Sequence, residues 1–396
     1  SRRRKPGLRA TSAAACLLVL LTAACGGSDA GKGGSGGGVI KLGYVASLSG
    51  PGGVFAEQGL QSMKLAMEQI NKSGMLDAEI QVVIADDASD PKTSAEVCQR
   101  LVTQDKVDVI LGVQNSANRA ACLPLAESAG KTPYLYATPY EGGECRENFF
   151  VDGEVPNQQV APLVSYLVDE AKAHKIFMMG SDYAAPRGTN AYAKGKIESS
   201  GASVVGEEYA PLNSTDFASL ISKALGSGAD SAFVSFIGSD YVAFLKQWRE
   251  TPGTDALVLT SPIPPFGAGD AANGIVAAFS YFPTLKNAAN DEYKAALKAK
   301  FGAKAETPSI LSVMSYNALW LYAKAVEKAG TAEKPAVLNA LHEVSFDGPS
   351  GLVAYNNVGH AALPMYVARL GGDPMAGTEE VLKNYPPVEP ESGCDA

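Results

Sequence analysis

The sequence predicts an α/β fold made of two doubly wound, Rossmann-like lobes joined by a hinge of more than one segment. Short apolar runs alternate with amphipathic helical patterns, which is typical of parallel sheets covered by helices. This alternation occurs twice along the chain. Helical patterns without matching strands then follow, and we expect them to return to the first lobe. More than one segment must therefore cross between the lobes.

Periodicity and turn residues predict the elements of the first lobe. The helix after the first strand is indicated by Leu60, Met63, Met67 and Ile70, which recur at helical spacing. Pro91, which follows an aspartate-rich turn, marks the start of the next helix. We predict strands at residues 39–45, 79–85, 107–111 and 133–136, a helix that ends near 129, and a crossing that begins at 148–151.

The second lobe repeats the same alternation. We predict strands at residues 176–179, 203–205, 232–236 and 257–260, with helices at 157–169, 191–200, 217–225 and 241–248. The returning helices are predicted at 291–301, 312–328 and 336–341, and one strand at 365–370 closes the chain. The first lobe then comprises residues 39–153 and 284–345, and the second comprises 154–283 and 346–390.

Composition excludes a nucleic-acid-binding protein. The chain is 46% hydrophobic and 19% charged, which is a globular composition, and its formal net charge is −9. Five cations and no acid lie in residues 1–24, so removing that segment changes the charge from −9 to −14. No basic cluster follows Arg9, so DNA or RNA would meet an acidic surface.

The N-terminus predicts export and a membrane anchor. Residues 1–24 combine a basic start, an apolar run too short to span a bilayer and small residues before Cys25, as in a signal peptide. The Leu-Thr-Ala-Ala-Cys string resembles a bacterial lipobox, which predicts lipidation of Cys25. The alternative is an ordinary cleaved signal peptide that happens to contain a cysteine. Residues 25–38 are rich in glycine and predict a flexible linker.

A hydroxyl-rich strand end at residues 134–143 predicts the ligand site. The apolar run stops at a Thr-Pro pair followed by two glycines. In open α/β sheets, ligands bind outside the carboxyl ends of the strands, so Tyr136, Thr138 and Tyr140 are expected at the rim of a pocket. Their hydroxyls donate and accept hydrogen bonds, which suits a small neutral polar ligand.

Several strings together resemble the type I periplasmic binding proteins of ABC transporters. The chain from residue 40 to about 370 is similar to the branched-chain amino acid group, and most similar to its urea and short-chain amide binders. The resemblance is carried by Asp-Asp-Ala-Ser-Asp-Pro at 86–91, Thr-Pro-Tyr-Glu-Gly at 138–142, Pro-Asn-Gln-Gln at 156–159, Gly-Ser-Asp-Tyr at 180–183, Pro186-Arg187, Gly-Glu-Glu-Tyr at 206–209 and Phe-Asp-Gly-Pro at 346–349. It implies two lobes that close on a ligand and deliver it to the transmembrane subunits of a permease.

The same resemblance implies which residues hold the ligand. In amide binders of this kind, side chains from both lobes contribute, and here they correspond to Ser116, Tyr136, Thr138, Tyr183 and Ser235. Ser116 also opens a predicted helix, where backbone N–H groups favour a carbonyl oxygen or a carboxylate. Phe55 stands where the group often places a tyrosine over the ligand. Gln114 replaces an aromatic residue that is common in the group, which implies a roomier pocket.

The sequence favours a neutral ligand over an amino acid. Branched-chain amino acid binders need a carboxylate for the ligand's ammonium group, because a buried unpaired charge is costly. The corresponding stretch here, residues 260–266, contains no acid. We therefore expect a wall of neutral donors and acceptors. Leu/Ile/Val binding remains the alternative, with Glu141, Asp182 or Asp240 as possible sources of charge.

Neither an enzyme nor a cytoplasmic sensor is expected. His174, His342 and His360 are scattered, and the sequence has no Gly-x-Ser-x-Gly elbow, zinc spacing or phosphate-binding glycine loop. Catalytic residues, metals and cofactors are thus not predicted. Some amide binders of this fold are cytoplasmic regulators, but the signal and Cys25 argue against that class. We expect a monomer, anchored by lipid on the extracytoplasmic face of a bacterial membrane.

Four cysteines follow Cys25, which predicts two disulfides with three possible pairings. In a sheet ordered 2-1-3, right-handed crossovers place the helices after strands two and three on the same face. Cys98 and Cys122 would then be neighbours, which favours the pair Cys98–Cys122. Cys145 and Cys394 are left for each other, and this second bond would fix the tail to the loop at the site.

Overall fold

The computed structural model describes residues 38–50, 53–113, 115–372 and 377–394. The predicted signal peptide, Cys25, most of the predicted linker and Gln114 lie outside these residues, as does the side chain of Phe55. Gly38, which we assigned to the linker, instead begins the first strand. Within the described ranges, no helix combines the length and apolar character needed to cross a bilayer.

The described residues form a mixed α/β structure. The strands are β1 (Gly38–Ala46), β2 (Ala78–Asp86), β3 (Val109–Gly112), β4 (Tyr134–Tyr136), β5 (Phe149–Val151), β6 (Lys175–Ser181), β7 (Ser203–Ala210), β8 (Ser231–Ser235), β9 (Val258–Ser261), β10 (Val276–Phe279), β11 (Ser345–Gly348), β12 (Gly351–Tyr355), β13 (Ala361–Arg369) and β14 (Glu380–Val388). The helices are α1 (Gly53–Ser73), α2 (Pro91–Arg100), α3 (Ser116–Ser128), α4 (Pro156–Ser165), α5 (Ala184–Ser199), α6 (Ala218–Gly226), α7 (Gly238–Glu250), α8 (Ala288–Phe301), α9 (Ile310–Ala329) and α10 (Lys334–Leu341).

The first lobe is built on a parallel sheet in the order β2-β1-β3-β4-β5. Its inner strands are buried on both faces, as expected for a sheet between helical layers. The strand β5, at the edge of this sheet, occupies a stretch that we predicted as the start of a crossing. The returning helices do cover this lobe, because α8 and α9 pack against α1 and α9 also contacts β3. Asp90 caps α2 through its side chain, with Pro91 as the first helical residue.

The second lobe contains a larger sheet in which β10, β9, β8, β6 and β7 are parallel neighbours. The C-terminal part differs from our prediction of a single strand. β11, β12, β13 and β14 are joined by antiparallel pairing, and β13 also pairs with β10, which we did not predict. β14 carries two prolines, Pro386 and Pro387, and alternates between exposed and partly buried residues. Such strands depend on a distant partner and leave a weak local signal.

Three segments connect the lobes, after β5, after β10 and after α10. The loop that follows β12 returns to the first sheet, where the backbone N–H of Val151 donates to the carbonyl of Gly359 at 2.8 Å. The first crossing is tightly packed, since a Cβ on Gly153 would lie 1.9 Å from the carbonyl oxygen of Thr138. We propose that the lobe boundaries fall at these crossings, near residues 153, 284 and 346.

Candidate functional site

A buried aspartate organises the loops at the carboxyl edge of the first sheet. Asp87 is fully buried just beyond β2. Its Oδ1 accepts a hydrogen bond from the hydroxyl of Ser47 at 2.6 Å, and its Oδ2 accepts from Nδ2 of Asn118 at 2.7 Å. One carboxylate therefore joins the loop after β1, the loop after β2 and the first turn of α3, and it fixes the position of that turn.

The first turn of α3 presents a serine and an arginine to one carboxylate. Asn115 caps the helix, since its side chain accepts from the backbone N–H of Asn118 at 2.8 Å. Ser116 is thus the first helical residue and not the cap, which leaves its hydroxyl free to donate to Glu141 Oε2 at 2.6 Å. One turn later, Nη2 of Arg119 donates to Glu141 Oε1, also at 2.6 Å.

The Arg119–Glu141 pair places fixed charges at the candidate site, where we expected only neutral donors and acceptors. Burial by itself would raise the pKa of Glu141, but the hydrogen bonds from Arg119 and Ser116 outweigh it and hold that pKa below its ordinary value. Burial likewise opposes the charge of Arg119, yet Tyr136 and Glu141 together raise the pKa of its guanidinium. Both groups are ionised at neutral pH, and they neutralise each other.

Tyr136 and Tyr140 cover the arginine instead of reaching the rim as predicted. The guanidinium carbon of Arg119 lies 5.1 Å from the ring centre of Tyr136 and 4.8 Å from that of Tyr140, which is cation–π distance. The ring of Tyr136 is completely buried, 5.7 Å from the ring of Phe149. Burial raises the pKa of Tyr136 to about 12, and its hydroxyl lies beside Ser116 and Arg119.

Tyr183 is the candidate residue that the second lobe contributes. It directly precedes α5 and is partly buried. Burial raises the pKa of Tyr183, and the charge of Glu141 adds to the shift. Thr138 lies two residues beyond Tyr136, just past the end of β4, and is partly exposed. We propose that Ser116, Arg119 and Glu141 from the first lobe and Tyr183 from the second line one site.

Ser235 is placed elsewhere. It is fully buried at the end of β8, where its hydroxyl donates to Oδ1 of Asn190 at 2.8 Å inside the second lobe, so we leave it out of the proposed site. Two acids that could have supplied charge are also engaged: Asp182 pairs with Arg187 at 2.7 Å, and Asp240 accepts from the backbone of Asn213 at 2.9 Å. Of the three acids considered from the sequence, we propose Glu141 for the site, because it is hydrogen-bonded to Ser116.

A histidine that the sequence left unassigned supports the aromatic cover. His360 is fully buried in the loop after β12, and its ring stacks on that of Tyr140 with centres 5.6 Å apart. Its Nδ1 lies 3.0 Å from the carbonyl oxygen of Val358, so Nδ1 carries the proton and Nε2 accepts the hydroxyl proton of Tyr140. Burial lowers the pKa of His360, which favours this neutral form.

Two disulfides flank the site. Cys98–Cys122 joins α2 to α3, and Cys145–Cys394 joins the loop after Glu141 to the C-terminal tail. These are the pairs that we favoured from the sequence. Within the described part of the chain, no three His, Cys, Asp or Glu side chains are grouped in a way that could hold a metal ion.

A protein-family model and a curated relative both match most of this chain. A family model described as "Periplasmic binding protein" matches residues 39–374. The leucine-, isoleucine-, valine-, threonine- and alanine-binding protein of Pseudomonas aeruginosa is 27% identical over 332 residues, which cover 81% of this chain and 86% of that protein.

Solved structures show the same fold. An ABC transporter substrate-binding protein from Sphaerobacter thermophilus superposes with a TM-score of 0.77 at 24% identity, over 88% of this chain and 98% of its own. A solute binding protein of an ABC transporter from Rhodopseudomonas palustris BisB5, solved with 3,4-dihydroxybenzoic acid, has a TM-score of 0.78 at 23% identity, over 90% and 99% of the two chains.

Proposed function

Because this chain belongs to the periplasmic binding protein family, in its type I group, we propose that it is the extracytoplasmic solute receptor of an ABC importer. It captures a small polar solute between its lobes and passes it to the transmembrane subunits of a permease. The predicted lipid on Cys25 keeps it at the membrane. Support comes from the family match and from the fold shared with ABC transporter substrate-binding proteins.

The observation that carries the ligand class is the Arg119–Glu141 pair, to which we add Tyr183 from the second lobe. Because Arg119 neutralises Glu141, the pair has no net charge to offer a ligand, but the carboxylate keeps lone pairs that accept further N–H groups. The hydroxyls of Tyr183 and Thr138 can donate to a carbonyl. This pattern favours a neutral solute that has N–H donors and a carbonyl oxygen, such as a short-chain amide or urea.

A free branched-chain amino acid is the second candidate. The Pseudomonas aeruginosa relative is named for binding such amino acids. Glu141 would then accept the ammonium group, while Ser116 and the N-terminus of α3 face the carboxylate. An aromatic acid like that in the Rhodopseudomonas structure fits less well, because its carboxylate would bring only acceptor oxygens to the acceptor oxygens of Glu141.

A thermal-shift and calorimetry screen with acetamide, propionamide, urea, leucine, isoleucine and benzoate tests the proposal. A ligand at a hundred times its dissociation constant adds about 2.7 kcal/mol to the free energy of unfolding, which is readily measured. We expect amides or urea to bind the wild type. Binding of leucine or isoleucine alone would favour the second candidate, and binding of benzoate alone would contradict both.

Glu141→Gln separates the two candidates. The glutamine still accepts an N–H from a neutral amide, so amide affinity should fall about tenfold or less. An ammonium group would lose its counter-charge, and amino acid affinity should fall by two orders of magnitude or more. The control is Glu147→Gln, which removes an exposed acid of the same loop that pairs with Lys131. Its affinities should equal those of the wild type.

A further inference from the structure

The C-terminal tail leaves the second lobe and is held at the start of α4. β14 ends at Val388, which is paired with Leu363 of β13. Beyond it, Nδ2 of Asn157 donates to the carbonyl of Glu389 at 2.8 Å, and the backbone N–H of Glu391 donates to Oδ1 of Asn157 at 2.8 Å. These paired bonds fix the tail to the first residues that follow the first crossing.

The same tail then meets the loop that begins with Glu141 in the first lobe. The backbone N–H of Gly143 donates to the carbonyl of Ser392 at 2.6 Å, and a Cβ on Gly142 would lie 3.0 Å from that oxygen. Gly142 also has a φ of +87°, a conformation that favours glycine. Two residues past Ser392, Cys394 forms a disulfide with Cys145.

We propose that residues 389–394 form a covalent strap between the lobes, which positions Glu141 and limits how far the lobes separate. This inference rests on the proposed function, because it assigns the strap a role at the same ligand site. The three crossings are backbone connections that permit rotation. The strap adds a fourth connection that runs from β14 to the loop carrying Glu141, and the disulfide makes it permanent.

The strap is expected to raise ligand affinity by preorganisation. A receptor whose lobes separate widely spends more of its time in arrangements in which Tyr183 is far from Glu141, and its apparent affinity falls by the fraction that is competent. A loop held in its bound conformation also loses less conformational entropy on binding. Cutting the strap should therefore change the ligand-free ensemble more than the ligand-bound one.

The test compares the wild type with Cys145→Ser/Cys394→Ser, both as the mature chain. Small-angle X-ray scattering without ligand should give a larger radius of gyration for the variant, and ligand should bring the two values together. Hydrogen exchange at the amide of Gly143 should become faster, because its acceptor on Ser392 is no longer held. Affinity for the solute identified in the screen should fall about tenfold.

Two controls separate the strap from general destabilisation. Cys98→Ala/Cys122→Ala removes the disulfide within the first lobe, and Glu147→Ala changes the other end of the same loop. Both should keep the wild-type radius of gyration. An unchanged radius of gyration in the Cys145→Ser/Cys394→Ser variant would overturn the limit on lobe separation, and unchanged affinity would overturn the positioning of Glu141. The scattering measurement needs no ligand, so it decides about the strap even if every screened compound fails and the proposed ligand class with it.

Discussion

A buried arginine at a ligand site requires partners that hold its charge, and here they come from three directions. Glu141 accepts two of the site's hydrogen bonds, and the rings of Tyr136 and Tyr140 cover the guanidinium. Only 6% of the Arg119 side chain is exposed, against 39% for Glu141. The carboxylate is thus the accessible member of the pair, and the cation is buried behind it.

Removing the charge of Glu141 should reduce stability at neutral pH. Glu141→Gln leaves Arg119 buried without a counter-charge, and because Glu141 is partly exposed we expect a loss near the lower end of the usual range, about 1 kcal/mol. The pKa of Glu141 is depressed in the folded state, so its contribution is present above its ordinary value of 4.5 and is lost as the pH falls through the folded value.

Urea denaturation at pH 7 and at pH 3 checks this expectation. The difference between wild type and Glu141→Gln should be clear at pH 7 and shrink at pH 3. Glu147→Gln, at an exposed position, serves as the control. A difference between wild type and Glu141→Gln that is the same at both pH values would assign the loss to packing and not to charge.

The hydroxyl of Tyr183 is expected to contribute to binding and not to folding. Tyr183→Phe keeps the ring and removes one hydrogen-bonding group, so affinity should fall by about 0.5–1.5 kcal/mol while the melting temperature without ligand stays nearly unchanged. Titration calorimetry and a thermal scan measure the two quantities. Equal affinity in the two proteins would remove Tyr183 from the site. Tyr166→Phe, which follows α4 in the same lobe, serves as the control.

The sequence predicted candidate site residues more readily than the contacts that those residues make. Ser116 was predicted from the family resemblance, with support from its place at the start of a helix, which is a local pattern. Arg119 was missed, although it lies three residues later on the same face of α3, because its partner is 22 positions away and a lone arginine on a helix usually faces solvent. Tyr136 was expected at the rim because strand ends carry ligands, but its ring is needed to cover the arginine.

At the scale of elements, the contact between the loop after β12 and the loop after β4 makes the stability of the fold depend on pH. His360 is neutral in the fold, with Nε2 accepting from Tyr140. Burial lowers its pKa below the ordinary value of 6.5. Between the lowered pKa and 6.5, the unfolded chain binds more protons than the fold. The contribution of neutral His360 to the free energy of unfolding is therefore complete above about pH 6.5 and is lost as the pH falls.

His360→Gln should remove this pH-dependent contribution to stability, because a glutamine carbonyl can accept from Tyr140 but does not titrate. The stability advantage of wild type over this variant should shrink as the pH is lowered from 7.5 to 5. Tyr140→Phe is the companion variant, which removes the donor and should cost about 0.5–1.5 kcal/mol at pH 7.5. An NMR titration in which His360 shows a pKa at or above 6.5 would contradict the account.

Most of the parallel strands were predictable from the sequence, whereas β5, β10 and the antiparallel part were not. Strands such as β3 and β8 are buried on both faces, so they leave continuous apolar runs. β10 consists largely of small residues, Val276-Ala-Ala-Phe279, and β14 contains charges and prolines, so neither resembles a strand locally. Both are specified by pairing with β13, which is remote in the sequence from β10.

At the scale of the whole molecule, two buried acids lie in the first crossing between the lobes. Asp152 and Glu154 are both almost completely buried. Oε1 of Glu154 accepts from the backbone N–H of Ser280 at 2.8 Å and from its hydroxyl at 2.6 Å, which joins the first crossing to the second. Burial raises the pKa of Asp152 well above its ordinary value, and the nearby charge of Glu154 adds to this shift.

The hinge is therefore expected to work best with Glu154 protonated. Burial raises its pKa, and the hydrogen bonds from Ser280 oppose this only in part. For an acid whose pKa is raised in the fold, the stabilising contribution is complete below the ordinary value of 4.5 and is lost as the pH rises through the folded value. Glutamine imitates the protonated acid, since its carbonyl accepts from Ser280 and its amide replaces the O–H.

Glu154→Gln should thus be at least as stable as the wild type at pH 8, with an advantage that disappears as the pH is lowered to 4. Glu154→Ala should instead lose about 1–3 kcal/mol at both values, because the buried N–H and hydroxyl of Ser280 are left without an acceptor. Chemical denaturation at the two pH values measures both effects. If Glu154→Gln were the less stable protein at pH 8, the carboxylate would have to be ionised in the hinge, and the two lobes would be joined by a charged contact instead of a neutral one.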